Sequence, residues 1–398
     1  MHLGVGPNGP IPGRRVAITG LGVVTCCGVG TDALWNGLLG EPMEGERRAT
    51  DFDPEQWFTT KEARQIDRFA QFSVAVAAMA VADAGDLDAD PERSGVVMGT
   101  GVGGLESLET QILVYAERGA RRVSPRLVPM MMTNAGAAAV SINLGWHGPS
   151  ETITTACAAG AHSIAHAAWL IASGRCDVVI GGAGEAGMTP VGIAAFANMT
   201  ALSTSGHSRP FDVRRDGFVI TEGAGALVLE DWDRAVARGA RIYGELAGAG
   251  STGDAHHITA PVPGGTGAAS CMAYAIADAG LEPGDIRHIN AHGTSTPLND
   301  KAESDAINSL FGENSPPVTS TKGITGHGLG AAGAIEAVAA VLTIDRGLIP
   351  PTAGYGEPDP DIHLDIVHGA ARPWTPGPVL SNSFGFGGHN GSLVIAPA

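Results

Sequence analysis

The stretch from Ala158 to Ser173 is apolar but nearly without bulk: positions 158, 159, 160, 161, 165, 167 and 168 are all Ala or Gly. Ala favours helix most strongly, and Gly174 supplies a stop. A helix this thin lets its neighbours come close, so the segment predicts a central helix buried between layers. Around it, short β-branched runs ending in glycine alternate with Ala-rich segments. Strands are expected at 16–24, 94–101, 177–184 and 226–231. A second series is expected at 245–250, 288–291, 317–320, 379–382 and 392–395. Helices are expected at 70–84, 158–173, 266–279, 301–310 and 331–342. The alternation argues for an α/β fold with mixed sheets. Two strand series imply two similar halves, 15–250 and 251–398, with no obvious linker. Residues 1–14 are Gly/Pro-rich and read as a flexible N-terminal arm.

Of the 398 residues, 44% are hydrophobic, enough for one large core or two fused ones. No charge-free apolar run reaches the roughly 18 to 20 residues that a membrane span needs; the longest candidate, 328–344, is interrupted by Glu336. No membrane association is expected. Five cysteines without a C-x-x-C pair argue against a disulfide scaffold and for a cytoplasmic protein. A net charge of -17 argues against non-specific nucleic-acid binding. An acidic partner would need a local basic patch, because charges beyond about 8 Å are largely screened. Lys61/Arg64/Arg68, Arg121/Arg122/Arg126 and Arg209/Arg214/Arg215 are the candidates, although each alone reads first as ordinary solvated surface.

Chemistry concentrates at three places. Cys157, in Thr154-Thr155-Ala156-Cys157-Ala158-Ala159-Gly160, falls at the start of the thin helix. Unsatisfied N–H groups and the helix dipole favour a thiolate there and can hold an oxyanion when sulfur attacks a carbonyl. Most free cysteines are merely small buried hydrophobes, but the small residues flanking this one point to a nucleophile. His292 in Asn290-Ala291-His292-Gly293-Thr294 and His327 in Gly326-His327-Gly328 each sit in a glycine-bracketed turn. Neutral imidazoles aimed at one thioester carbonyl would stabilise an enolate. Lys322, one of only three lysines, precedes His327, and Glu336 follows it among apolar neighbours, so a buried Lys322–Glu336 pair is expected behind the site. Last, Ser383-Phe384-Gly385-Phe386-Gly387-Gly388 is a loop whose backbone can approach a ligand closely and whose rings can act as a gate.

Other signals are discounted. Gly99–Gly104 and Gly328–Gly333 both fit G-x-G-x-x-G, but 58 glycines make such a match expected by chance, and no acidic residue follows the first at the right distance. A nucleotide-cofactor oxidoreductase is therefore a remote alternative. His162 and His166 lack the intervening Glu of a zinc-protease helix, and no metal site is expected.

Taken together, these residues resemble the β-ketoacyl-[acyl-carrier-protein] synthases, condensing enzymes of the type I/II class within the thiolase superfamily. The resemblance runs from about Arg15 to the C-terminus. It rests on Val16-Ala17-Ile18-Thr19-Gly20-Leu21-Gly22, Thr155-Ala156-Cys157, Arg209-Pro210-Phe211-Asp212, Arg215-Asp216-Gly217-Phe218-Val219, the two His motifs and the Phe384 loop. It implies a thiolase-like five-layered αβαβα sandwich of two pseudo-symmetric halves, dimeric as a homodimer or beside a chain-length-factor-like subunit. It also implies decarboxylative condensation of an acyl group on Cys157 with a malonyl thioester. His292 and His327 would stabilise the enolate, backed by Lys322 and Glu336. The N–H groups of Cys157 and Phe384 would form the oxyanion hole, with Phe384 as gate. Thr294 and Thr296 would contact pantetheine, and Met130, Met131 and Met132 would lie near the dimer contact and the end of the acyl pocket. The partner is an acyl carrier protein, with Lys61, Arg64 and Arg68 as docking candidates. No cofactor is implied beyond the carrier's own phosphopantetheine.

Relatives within the superfamily differ at testable positions. A degradative thiolase needs a late second cysteine, whereas the last here is Cys271. An initiating type III enzyme carries Asn at the place of His327, and a chain-length factor lacks the nucleophile. Two departures remain: only Ser205, Gly206, His207 and Ser208 stand where many relatives carry a longer basic loop, and Thr221 replaces a glycine. Fatty-acid elongation and type II polyketide or polyene assembly both stay open.

Overall fold

The computed structural model describes residues 13–312 and 315–398. Residues 1–12 of the expected arm lie outside that range. Residues 13 and 14 are fixed to the body: Arg14 donates its N–H to Ala172 O at 3.2 Å and pairs with Asp177 at 2.9 Å.

Among the described residues, ten strands form the main path of the large sheet. The first five are β1 (Val16–Thr25), β2 (Ser94–Gly99), β3 (Ser150–Glu151), β4 (Val178–Glu185) and β5 (Gly223–Asp231). The second five are β6 (Gly244–Gly253), β7 (His288–Asn290), β8 (Val318–Thr319), β9 (Val379–Gly385) and β10 (His389–Ala396). Their spatial order is β3-β2-β4-β5-β1-β6-β10-β9-β7-β8. The two runs meet only at Ala17↔Glu245 and Ile18↔Gly244. Outward from that junction the pairing repeats. In each run, two antiparallel neighbours are followed by two parallel ones. Every strand of the second run matches the strand five earlier. Position 250 lies inside β6, so the second series opens at Gly244.

The helices repeat in the same way. α1 (Arg68–Ala84), α2 (Ala135–Leu144) and α3 (Ala159–Ala172) interleave with the first run. α4 (Thr266–Asp278), α5 (Pro297–Phe311) and α6 (Ala332–Arg346) interleave with the second. α1 and α2 cover one outer face, and α4 with α5 beside it covers the other. α3 and α6 lie between the runs, each touching strands of both. The result is a five-layered αβαβα sandwich.

The middle layer explains the small residues. With sheet on both sides, α6 is buried at every position from Ala332 to Ile344. Backbones meet there almost directly. A Cβ on Gly160 would lie 2.5 Å from Ala334 N, and one on Gly225 of β5 would lie 2.6 Å from Ala334 O. Larger side chains on these surfaces would hold the layers apart, in an interior packed as densely as an organic crystal.

Gly225→Ala should therefore lower stability by about 1–3 kcal/mol, the usual range for overpacking. Gly253→Ala, whose added Cβ meets nothing within 4 Å, should stay within about 0.5 kcal/mol. Denaturant midpoints of the two variants check this; equal midpoints would mean that the middle layer has slack.

Candidate active site

Cys157 sits in the 3-10 turn Ala156–Ala158 that leads into α3. Ala156 just before it has φ 50, a left-handed conformation uncommon for a residue with a Cβ. The turn is held from behind: Thr155 Oγ1 meets His162 Nδ1 at 2.8 Å, and His162 Nε2 meets Asn390 O of β10 at 3.1 Å. Cys157 is only 6% exposed, and this corrects the expectation of a resting thiolate. Burial pushes the thiol up to about 12, against the charge of Lys322 and the N–H of Phe386, which favour the thiolate. Desolvation outweighs the helix terminus, so the resting sulfur carries its proton.

His292 emerges past the end of β7. Glu303 on α5 accepts the N–H groups of His292 and Gly293 at 2.8 and 2.7 Å, and Asn382 Nδ2 lies 3.3 Å from the same carboxylate. His327 precedes α6 and is pinned by its N–H to Val219 O at 2.8 Å. Its Nε2 lies 3.1 Å from Cys157 Sγ. The two imidazole rings stand edge to face, 5.3 Å apart. Both are held well below the usual imidazole range, first by burial and then by the charge of Lys322. Both are therefore neutral at physiological pH.

Lys322 lies behind them, fully buried. Its Nζ donates to His292 O at 2.5 Å, lies 3.4 Å from His292 Nδ1 and pairs with Glu336. An ammonium has no acceptor lone pair, so His292 Nδ1 must accept. The ring proton then sits on Nε2. Burial raises Glu336 to about 7 against the pull of Lys322. A further buried carboxylate, Glu185 at the end of β4, accepts from Gly101 N at 2.6 Å and Gly330 N at 3.1 Å. It ties the turn after β2 to the turn before α6.

Cys157, His292 and His327 open into one cavity of about 300 Å³, also lined by Phe196, Phe218, Leu329 and Phe384. Thr294 and Thr296 line it too, their Oγ1 atoms 2.9 Å apart. Phe384 and Phe386 take different positions. Phe384 lies inside β9 opposite Asn390, its ring 5.8 Å from that of His292. Past Gly385 the strand has ended, and there the N–H of Phe386 faces the sulfur. The N–H that faces the sulfur is thus that of Phe386 rather than that of Phe384.

Two other groups of sequence candidates lie elsewhere. Met130 and Met131 belong to the helix Leu127–Met131, Met132 follows it at 46% exposed, and none of the three lines the cavity within one chain. Arg68 pairs with buried Glu222 at 2.7 Å, its guanidinium 4.6 Å from the Phe72 ring centre. Arg68 is thus committed to a contact within the fold, while Lys61 and Arg64 are exposed. Sequence reasoning missed Glu303, Glu185 and His162. Glu303 had a usable signal, the one that marked Glu336: a carboxylate between small neighbours, Ala302 and Ser304. Among the described residues no cluster of metal-ligating side chains is present.

Comparison with known proteins agrees with this geometry. Residues 41–235 match the family model described as beta-ketoacyl synthase, N-terminal domain, and residues 243–356 match its C-terminal domain. A 3-oxoacyl-[acyl-carrier-protein] synthase 2 of Synechocystis is 44% identical over 412 residues, spanning 96% of this chain and 98% of that protein. The structure titled the ishigamide ketosynthase/chain length factor superposes with a TM-score of 0.93 at 34% identity, covering 97% of this chain and 100% of that one. A type II polyketide ketosynthase solved with its acyl-carrier protein gives 0.90 at 32% identity, with coverage of 97% and 100%. With both halves matched and the nucleophile and imidazoles in one cavity, the chain belongs to the beta-ketoacyl synthase family.

Proposed function

We propose that this chain joins an acyl group held on Cys157 to the two-carbon unit of a malonyl thioester, releasing CO2 and leaving a 3-oxoacyl chain on an acyl carrier protein. One observation carries the reading: Cys157 Sγ and two neutral imidazoles share one cavity, with His327 Nε2 3.1 Å from sulfur. In the first step the sulfur attacks an acyl thioester, and its proton ends on the departing pantetheine thiol. The carbonyl oxygen is held by the N–H groups of Cys157 and Phe386. In the second step the malonyl C–C bond breaks, CO2 leaves and the enolate oxygen accepts hydrogen bonds from both imidazoles. Lys322 behind His292 strengthens the Nε2–H donor without protonating the ring. In the third step the enolate carbon attacks the Cys157 thioester and the sulfur departs as a thiolate, which takes one proton from solvent to restore the resting thiol. The atoms balance with no redox cofactor or metal.

Thr294 and Thr296 are suited to the pantetheine amides, and Phe384 to gating the cavity. Lys61 and Arg64 are candidate contacts for an acidic carrier. Exposed apolar side chains at Ile112, Val128, Met132 and Ile142 favour a subunit contact on that face, with Met130 and Met131 beside it. Five free cysteines fit a cytoplasmic enzyme. The higher identity to a 3-oxoacyl-carrier synthase 2 favours chain elongation by a homodimer. The close superposition on a ketosynthase partnered by a chain-length factor supports a second reading, polyketide or polyene assembly in a heterodimer.

Intact mass after mixing with saturated and polyunsaturated acyl-carrier thioesters separates the two. Saturated adducts that require Cys157 fit elongation, and adducts from unsaturated or oxidised chains alone fit assembly. Cys157→Ala should abolish condensation, by at least ~10³-fold, with the fold retained by circular dichroism; retained 3-oxoacyl product would overturn the assignment. His292→Ala should slow decarboxylation by roughly 10²–10³-fold, as for loss of one oxyanion donor, while acyl transfer to Cys157 persists. Because both imidazoles sit well below 6.5, their neutral forms persist through that pH. The rate should show no acid limb there, and an inflection near 6.5 in kcat/KM would mean that an imidazole is charged in the working enzyme.

A further inference from the structure

The turn between β1 and the two-residue strand Gly28–Val29 consists of Cys26 and Cys27, with Thr25 and Gly28 paired across it. Both thiols are partly exposed. Cys26 Sγ lies 3.8 Å from Ile324 O and 3.6 Å from Thr325 O. It thus rests against the short helix Lys322–Thr325, which carries the buried cation of the active site at its start and leads into His327 at its end. Neither cysteine lines the cavity.

Arg47 accompanies them. It is 1% exposed, and its guanidinium donates to the carbonyls of Lys322 at 3.0 Å, Ile324 at 2.7 Å and Met43 at 2.9 Å. Its Nε has no hydrogen-bond partner, and no carboxylate pairs with it among the described residues. Burying a guanidinium without a counter-charge is costly. The ionisable groups that act on it are Cys26 and Cys27. Glu222, the nearby carboxylate of the same strand region, is committed to Arg68.

We propose that Cys26 and Cys27 form a vicinal dithiol that hydrogen peroxide oxidises to a disulfide, with Arg47 supplying the charge that supports the attacking thiolate. Cys27 is the attacking sulfur. The neighbouring Cys26 thiol, then Thr25 and the charge of Arg47, lower its pKa against burial. The Cys27 thiolate attacks one peroxide oxygen, the O–O bond breaks, and hydroxide leaves with the thiol's proton as water. The sulfenic acid that remains is attacked by Cys26 sulfur. The S–O bond breaks, the S–S bond forms, and the departing hydroxide takes the Cys26 proton as a second water. Two thiols and one peroxide give one disulfide and two waters. Cys157, buried and protonated, is the poorer target.

Closing this bond draws Cys26 off the carbonyls of Ile324 and Thr325. The helix Lys322–Thr325 loses a contact on its far side, and the groups at its two ends lose their placement. The effect on condensation rests on the function proposed above; the disulfide itself does not.

The test treats the full chain with hydrogen peroxide, caps the remaining thiols with N-ethylmaleimide and maps the peptides by mass. The expected product is a peptide carrying both Cys26 and Cys27 that has lost two hydrogens and gained no cap, restored by dithiothreitol. It is absent from Cys26→Ser and Cys27→Ser. Its formation is several-fold slower in Arg47→Met. Both cysteines fully capped after peroxide, or oxidation appearing first at Cys157, overturns the site. Condensation activity is read in parallel. Wild type should lose it and regain it with dithiothreitol, while Cys27→Ser keeps it. Equal loss in both proteins overturns the coupling to the active site while leaving the dithiol in place. If wild type shows no condensation before oxidation, the functional reading has failed and the mass result stands alone.

Discussion

The ammonium of Lys322, buried beneath two imidazoles, is the interaction on which the chemistry depends. It cannot accept a hydrogen bond, so it fixes which nitrogen of His292 carries the proton. Its charge, added to burial, keeps both rings neutral, and it offers the sulfur of Cys157 the main electrostatic help against desolvation. Such a cation is tolerable only because Glu336, on the next helix, and the carbonyl of His292 meet it. Removing one partner of a buried pair leaves an uncompensated charge. The glycines of the surrounding turns, Gly293 and Gly326, both at positive φ, let the chain bend closely enough around it for one cation to serve both motifs.

The fold was legible where burial is two-sided. The strands around 94, 177 and 288 are short, buried throughout and bounded by turn residues, and the helices of the middle layer announce themselves by lacking bulk. Among the elements that escaped notice were helices that bury little. The helix Leu105–Arg118 has no fully buried residue, so its apolar positions form no stripe that a core would impose, and Ile112, Leu113 and Tyr115 point outward. Pro190–Asn198 buries only Gly192. A pattern read as facing a core cannot reveal a helix that faces none.

In the site, residue identity was easier to read than electrostatics or orientation. Cys157, His292, His327, Lys322 and Glu336 were marked by glycines or by small neighbours, and the structure brings all five together. The thiol's protonation was not legible, because a helix terminus and a buried pocket act in opposite directions and sequence gives the first without the depth of the second. Phe384 and Phe386 could not be told apart in Phe-Gly-Phe: which N–H reaches sulfur depends on where β9 stops, and strand ends are set by tertiary pairing. Arg68 read as a surface cation because its partner Glu222 is 154 positions away.

The internal repeat explains why the site lies where it does. α3 and α6 are equivalent elements of the two halves, packed together in the middle layer. Cys157 opens the first, and His327 stands just before the second. β2 and β7 are likewise equivalent. The turn after β7 holds His292, whereas the turn after β2 holds Thr100 and Gly101, which only grip Glu185. The helix starts of both halves and the strand end of the second therefore open into one volume, and different side chains at the matching helix starts divide the work between nucleophile and enolate donor. A site made this way cannot be built from either half alone. The rigidity that holds sulfur and imidazole 3.1 Å apart comes from the same close glycine contacts that bring α3 and α6 together.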